Sequence, residues 1–388
     1  MIHEGIAAFL EDMKSWRQDL HAHPETAFEE FRTSDMVAEK LESFGIEVHR
    51  GLAGTGVVGV LRGTGKDRGA IGLRADMDAL DIEEQTNLEY RSKNEGKMHA
   101  CGHDGHTTML LGAARHLANN RDFSGTVHFI FQPAEENEGG GQKMVEDGLF
   151  EQFPMDQVYG LHNWPGMPVG KMGVQTGPVM ASTDTFELVV TGKGAHAAMP
   201  HQGVDTIVIA AEIVGALQTI ASRMFDPVDP VVVSVTQFHG GDTWNVIPEE
   251  VVLRGTVRAF KDAVQDRLEP AIKKIADGIA QSHGASVSLK YERGYPPTIN
   301  SVRETAIAAN AAAELVGKEN VLDDSNPSMG AEDFAFLLRE KPGAYAWIGA
   351  GEDHVNLHNP AYDFNDDLLP LGASYWVNLV TETLGTNS

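Results

Sequence analysis

Residues 126–140 read TVHFIFQPAEENEGG. Val127, Phe129 and Phe131 recur at the two-residue period of a strand, and Pro133, which has no N–H to offer a ladder, ends it. The chain then delivers Glu135 and Glu136 side by side. Adjacent carboxylates repel, so in a confined place both stay ionised only beside cations, or one takes up a proton. By itself the pair reads more simply as a solvated acidic turn. Working outward, similar short strands are expected at 69–73, 157–161 and 344–349, with helical patterns between them. Strand and helix alternating in this way predict an α/β fold built on a largely parallel sheet. One helix is expected to follow Asp104 as N-cap, carrying Met109, Leu110, Ala113 and Leu117 at helical spacing.

The middle of the chain has a different rhythm. Strand signals at 185–190, 231–238, 251–259 and 286–291 enclose helical signals at 205–222 and 263–281. The order β, α, β, β, α, β is that of a ferredoxin-like domain. In the second helix Val264, Leu268, Ile272, Ile275 and Ile279 form one stripe, and Pro270 must kink the helix or mark its true start. An inserted domain is therefore expected at 183–294, between two parts of a catalytic domain, 1–182 and 295–388.

A length of 388 residues suits two domains, each able to bury a core. A net charge of −26 disfavours phosphate backbones and anionic lipid, so neither nucleic acid nor membrane is expected as a partner. The first residues lack a basic and apolar leader, and the apolar run at 207–217 is interrupted by Glu212. A cytoplasmic protein is expected. The single cysteine, Cys101, excludes an internal disulfide and is either a small buried hydrophobe or a liganding thiol.

The neighbours of Cys101 must decide between these, and taken alone they leave the two readings even. MHACGHDGH, residues 98–106, puts Cys101 and His103 two apart, a spacing that turns both to one face of an extended segment. His162 in GLHNWPG and His358 in NLHNPAYDF follow strand or turn signals, and RADMDAL places Asp76 and Asp78 after another strand. Loops leaving the carboxyl ends of strands converge on one crevice in such sheets. One thiolate with imidazoles and a carboxylate suits zinc, cobalt, nickel or manganese better than magnesium or calcium. Two such ions are plausible, and if Glu136 binds metal, Glu135 is left to accept a proton from water. His99, His106 and His201 are read as structural or supporting, and Glu332 and Asp333 as cleft-lining or helix-capping.

Taken in order, LHAHPE, LRADMDAL, MHACGHDGHTTMLLGAA, FQPAEENEGGG, GLHNWP, GKGAHAAMPHQGVD, NVIPEE, MGAEDFAF and LHNPAYDFND cover nearly the whole chain. Together they resemble the aminoacylase and hippurate hydrolase family of metal-dependent amidohydrolases. That family includes plant auxin-conjugate hydrolases and is related to bacterial glutamate carboxypeptidases. The resemblance implies hydrolysis of N-acyl amino acids, hippurate-like or acetylated, by a zinc-peptidase-like α/β domain with a ferredoxin-like lid. It implies two divalent ions on Cys101, His103, Glu136, His162 and His358, with the Cys101 thiolate bridging. It implies Glu135 as general base, Asp76 as the carboxylate orienting a metal-bound histidine, His196 as oxyanion stabiliser and Asn245 as a group recognising the substrate carboxylate. It also implies a homodimer, or a tetramer, through the inserted domain.

The chain departs from the family pattern where Asp81 replaces a proline common after MDAL, which changes a turn near the site. Carboxypeptidase-like relatives have a histidine and a bridging aspartate where this chain has Arg74 and Cys101, which favours the amidohydrolase branch. A dipeptidase or carboxypeptidase on the same metals, a metal-binding protein without turnover, and a cysteine hydrolase are the competing readings. The spare Glu135 argues against the second, and a metal-held thiolate, a poor free nucleophile, against the third.

Overall fold

The computed structural model describes residues 1–136 and 138–386. The alternation at 126–132 forms a strand over the expected residues. It belongs to an eight-stranded sheet ordered Glu47–Leu52, Gly56–Arg62, Thr126–Gln132, Ala70–Asp76, Gln157–Pro165, Gly343–Gly351, Met172–Gly173, Val321–Leu322. The four central strands are mutually parallel. The sheet as a whole is mixed: Gly56–Arg62 runs antiparallel to both its neighbours, and Met172–Gly173 runs antiparallel to Gly343–Gly351. The first two strands could not be parallel, because the few residues joining them, with Ala53 and Gly54 at positive φ, are too short for a crossover.

The two-residue period sorts side chains onto two faces. Leu73, Ala75, Val127, Phe129, Phe131, Tyr159 and Leu161 share one core with Met109, Leu110 and Ala113 of the helix His103–Asn119 and with Trp376, Leu379 and Val380 of Leu368–Leu384. Each large apolar side chain removed from water here contributes roughly 1.5–3 kcal/mol. The alternate positions, Arg74, Asp76, Gln132 and His162, point to the other face. They bring polar groups to the carboxyl ends of the central strands, as expected of an α/β sheet.

Two local expectations are corrected. Asp104 is not the N-cap: Gly102, at φ 92°, holds that place, and Asp104 lies inside the first turn. The cap-like signal is overridden because His21 and Arg17 claim the carboxylate. His162 lies within a strand rather than after one, since Gln157–Pro165 continues four residues past the expected end at 161, paired beside Trp347 and Ile348.

By compactness the chain falls into two units, one of residues 1–177, 299–326 and 333–388, the other of 178–298 and 327–332. The second holds a four-stranded antiparallel sheet ordered Val231–His239, Glu250–Ala259, Asp184–Thr191, Ser286–Arg293. Its βαββαβ succession and strand order are ferredoxin-like. Pro270 is the third residue of the helix Leu268–Ser282, where its missing N–H costs no helical bond, so it marks a start and not a kink. Among the described residues one segment, Thr206–Met224, with mean hydropathy 1.4, is long and apolar enough to cross a membrane by length and composition. Ile209, Ala210, Ile213, Leu217 and Ile220 on it pack into the core of their own unit.

Gly105 shows how tightly the first unit closes on the helix behind Cys101. A Cβ there would lie 2.2 Å from the buried Phe364 ring. We expect Gly105→Ala to destabilise the protein by roughly 1–3 kcal/mol, read as a lower urea midpoint at unchanged slope. An unchanged midpoint would show that the ring gives way freely.

Candidate metal centre

Gly102 allows the chain to turn sharply between Cys101 and the helix that opens at His103; a Cβ there would meet Asn163 and the Tyr362 hydroxyl within 2.8 Å. His103 donates from Nδ1 to the Asp78 carbonyl at 2.9 Å, which leaves Nε2 buried with no hydrogen-bond partner. His162 donates from Nδ1 to the Asn163 carbonyl at 2.6 Å, and its Nε2 lies 3.4 Å from Cys101 Sγ. Both rings are thus turned so that Nε2 faces the thiol, the arrangement used to hold histidine ligands in one tautomer.

Glu136 arrives from the loop after the strand Thr126–Gln132, pinned by its N–H to Asp78 Oδ2 at 2.9 Å. Its carboxylate meets His358 Nε2 at 3.1 Å. His358 has φ 61°, costly for a residue with a Cβ, and its N–H bonds the Ala100 carbonyl at 2.8 Å. Donor atoms of Cys101, His103 and His162 lie within 4.8 Å of one another, and so do those of Cys101, Glu136 and His358. The two triads share the sulfur. His103, Glu135 and Glu136 form a third such group.

The electrostatics test whether cations fit. Burial first, then the carboxylates of Glu136, Glu135 and Asp76, push the Cys101 thiol well above its usual range. Burial works against a charged His103, yet Asp76, Asp78 and Glu136 hold its pKa up at about 10. A proton on that ring is standing in for positive charge the pocket lacks. Burial also pushes His162 well below the ordinary imidazole range, with the neighbouring His106 adding to the effect, so it is a neutral donor. Divalent cations held by these residues would satisfy all three at once, by ionising the thiol, taking the place of the His103 proton and neutralising the acids.

Asp76, fully buried, accepts from His106 Nδ1 at 2.7 Å, while His103 Nε2 is 3.8 Å away. The group that orients the His103 ring is Asp78. His106 is in turn fixed by Asn163, whose N–H donates to its Nε2 at 3.0 Å. Glu135, 7% exposed, accepts from the Asp333 N–H at 3.4 Å. His196 and Asn245 belong to the second unit. The short strands Ala195–His196 and Val246–Ile247 pair there, and the Ala197 N–H bonds the Asn245 carbonyl at 3.0 Å, so these two are brought together. The sequence reads His106 as structural or supporting and Asp333 as cleft-lining or helix-capping; it gives no positioning task to Asp78, Asn163 or Arg74.

Behind the helix start, His21 binds Asp104 through Nδ1 at 2.9 Å and Glu84 through Nε2 at 3.4 Å. Burial disfavours the imidazolium, but these two carboxylates raise its pKa to about 9. A folded-state value above the unfolded one near 6.5 means that the stabilisation is complete below about pH 6.5 and disappears as the pH rises through about 9. We expect the stability advantage over His21→Gln to shrink by about 2–3 kcal/mol between pH 6 and pH 9.5 in urea titrations. A constant difference would mean that His21 folds in neutral. In Cys101→Ser the shared donor becomes an alcohol that ionises far less readily, and metal content per chain, measured by elemental analysis, should fall. Full stoichiometry would exclude Cys101 as a ligand.

The model for Peptidase family M20/M25/M40 matches residues 72–382. Hippurate hydrolase of Campylobacter jejuni is 43% identical, with 95% of each chain covered. N-acetyl-L-cysteine deacetylase of Bacillus subtilis is 41% identical over 93% of this chain and 85% of its own. Among solved structures, the YXEP protein of Bacillus subtilis, described as a dinuclear metal binding peptidase, superposes with a TM-score of 0.86 at 36% identity, over 98% of this chain and 99% of its own. With four-fifths of its length matched and relatives this similar along their whole length, the chain belongs to peptidase family M20/M25/M40.

Proposed function

We propose that the chain is a metal-dependent amidohydrolase that splits N-acyl amino acids, hippurate-like or acetylated, into a carboxylic acid and a free amino acid. The observation that carries this is the pair of donor triads meeting at Cys101, with Glu135 beside them and in neither. Two divalent ions held by Cys101, His103, Glu136, His162 and His358 would polarise the amide carbonyl and make a nearby water more acidic.

The remaining work falls to the chain. Glu135 takes a proton from the attacking water and returns it to the leaving nitrogen as the tetrahedral intermediate collapses. Asp78 keeps His103 in the required tautomer, and the Asn163 carbonyl does the same for His162. We assign His196 to stabilising the oxyanion and Asn245 to the substrate carboxylate; their adjacency in the second unit supports a shared task. That unit is read as a lid and dimerisation domain. Its edge strand Val231–His239, with Phe238 exposed, and the exposed Val208 support a surface for a second copy of the chain. The relatives named for hippurate and N-acetylcysteine support acyl conjugates over peptides as substrates.

A peptidase reading is kept because the YXEP protein is described as a peptidase. Release of free amino acid from benzoyl, acetyl and indoleacetyl conjugates and from dipeptides, with and without chelator, separates the two. Chelator-sensitive cleavage of acyl conjugates over dipeptides is expected; the reverse preference establishes the peptidase. Glu135→Gln should keep its metal and lose at least about 100-fold in kcat, a usual yield of positioned general-base catalysis. Near-normal turnover would remove Glu135 from that role.

A further inference from the structure

Arg74 lies in the middle of a central strand with its side chain 1% exposed. It faces away from the main hydrophobic core, on the same side as Asp76, Gln132 and His162. A guanidinium there needs partners for a planar fork of donors. Nη1 meets Asp76 Oδ2 at 2.6 Å, Nη2 meets Asp333 Oδ1 at 2.9 Å, and Nε donates to Gln132 Oε1 at 2.8 Å. Asp333 is equally committed. Gln132 Nε2 donates to its oxygens at 2.8 and 2.9 Å, and the Gly141 N–H donates to Oδ2 at 2.7 Å. Gly141 is a glycine because a Cβ there would press within 3.0 Å of the Asp333 carbonyl and Gln132 Oε1.

Burying such an ion network gains little stability over well-packed apolar residues of the same volume. Its value lies in what it fixes. At one end Asp76 holds His106 and approaches His103. At the other, the Asp333 main-chain N–H donates to Glu135 Oε1. We propose that Arg74, Gln132 and Asp333 are positioning residues: a rigid buried strut that sets the Glu135 carboxylate at a fixed distance from the histidine side of the centre. The proposal rests on the reading of Glu135 as general base. The strut explains why a base next to a ligand in sequence does not swing into the metal shell itself. Glu136 is pinned by Asp78 from one direction, and Glu135 is drawn by Asp333 from another.

The test is a double-mutant cycle on the metal-loaded enzyme, with Asp333→Asn and Glu135→Gln singly and together, assayed on the best acyl conjugate at high enzyme concentration. Asp333→Asn keeps the volume and removes the charge that anchors Arg74. Misplacing a catalytic group by about 1 Å costs up to roughly 100-fold, so kcat should fall about 10- to 100-fold. KM should stay within about threefold and metal content should be unchanged, as expected for a group felt only in the transition state. In the Glu135→Gln background the same substitution should change kcat less than about twofold, because the group it positions is already gone. An equal loss in both backgrounds, loss of metal, or unchanged kcat overturns the strut. Should Asp333→Asn fail to fold, Arg74→Lys decides in the same cycle. It keeps the charge but not the fork, so a smaller loss that again vanishes beside Glu135→Gln supports the proposal, and an additive loss overturns it. If Glu135→Gln alone stays active, the general-base reading fails, a result distinguishable from failure of the strut.

Discussion

Crowding of carboxylates at one end of the parallel central strands is the constraint on which the rest of this structure depends. Asp76, Asp78, Glu135 and Asp333 are all at least nine-tenths buried, and the first three lie beside the buried His103. Left alone, such a group would take up protons or come apart. The chain answers with fixed cations of its own, Arg74 between Asp76 and Asp333 and, behind the helix start, Arg17 and His21 on the buried Asp104. It leaves the centre itself short of positive charge. The shortage selects for divalent ions, and His103 and His162 are kept poised because each already spends its second nitrogen on a carbonyl.

The fold was legible wherever local pattern and tertiary demand agreed. The strand at 126–132 and the βαββαβ order of the middle region are written in simple alternation, and the structure places strands and helices there with shifts of a residue or a few at their ends. Pattern failed where a distant partner outbid it. Asp104 looks like a cap, but a histidine 83 residues earlier takes its carboxylate. His162 looks like a loop residue, but a neighbouring strand carries it on in register.

The same division applies to the candidate site. Cys101, His103, Glu136, His162 and His358 stand out by residue type and by their place at strand ends, and the chain brings their donor atoms together. The groups that hold them do not stand out. Asp78 contributes a main-chain carbonyl to His103, which no side-chain motif reveals. Arg74 and Asp333 are 259 positions apart, and only the closing of the sheet brings them into contact. Local patterns thus point to donors, while support is written in long-range geometry.

Cys101 carries one further consequence. It is the chain's single thiol, and it sits where both donor triads meet. A cysteine-selective reagent therefore has one address in this protein, and that address is the centre. Chemical modification, which in most enzymes scatters over bystander residues, becomes here a direct count of sites open to it, with no engineering of the chain to remove background.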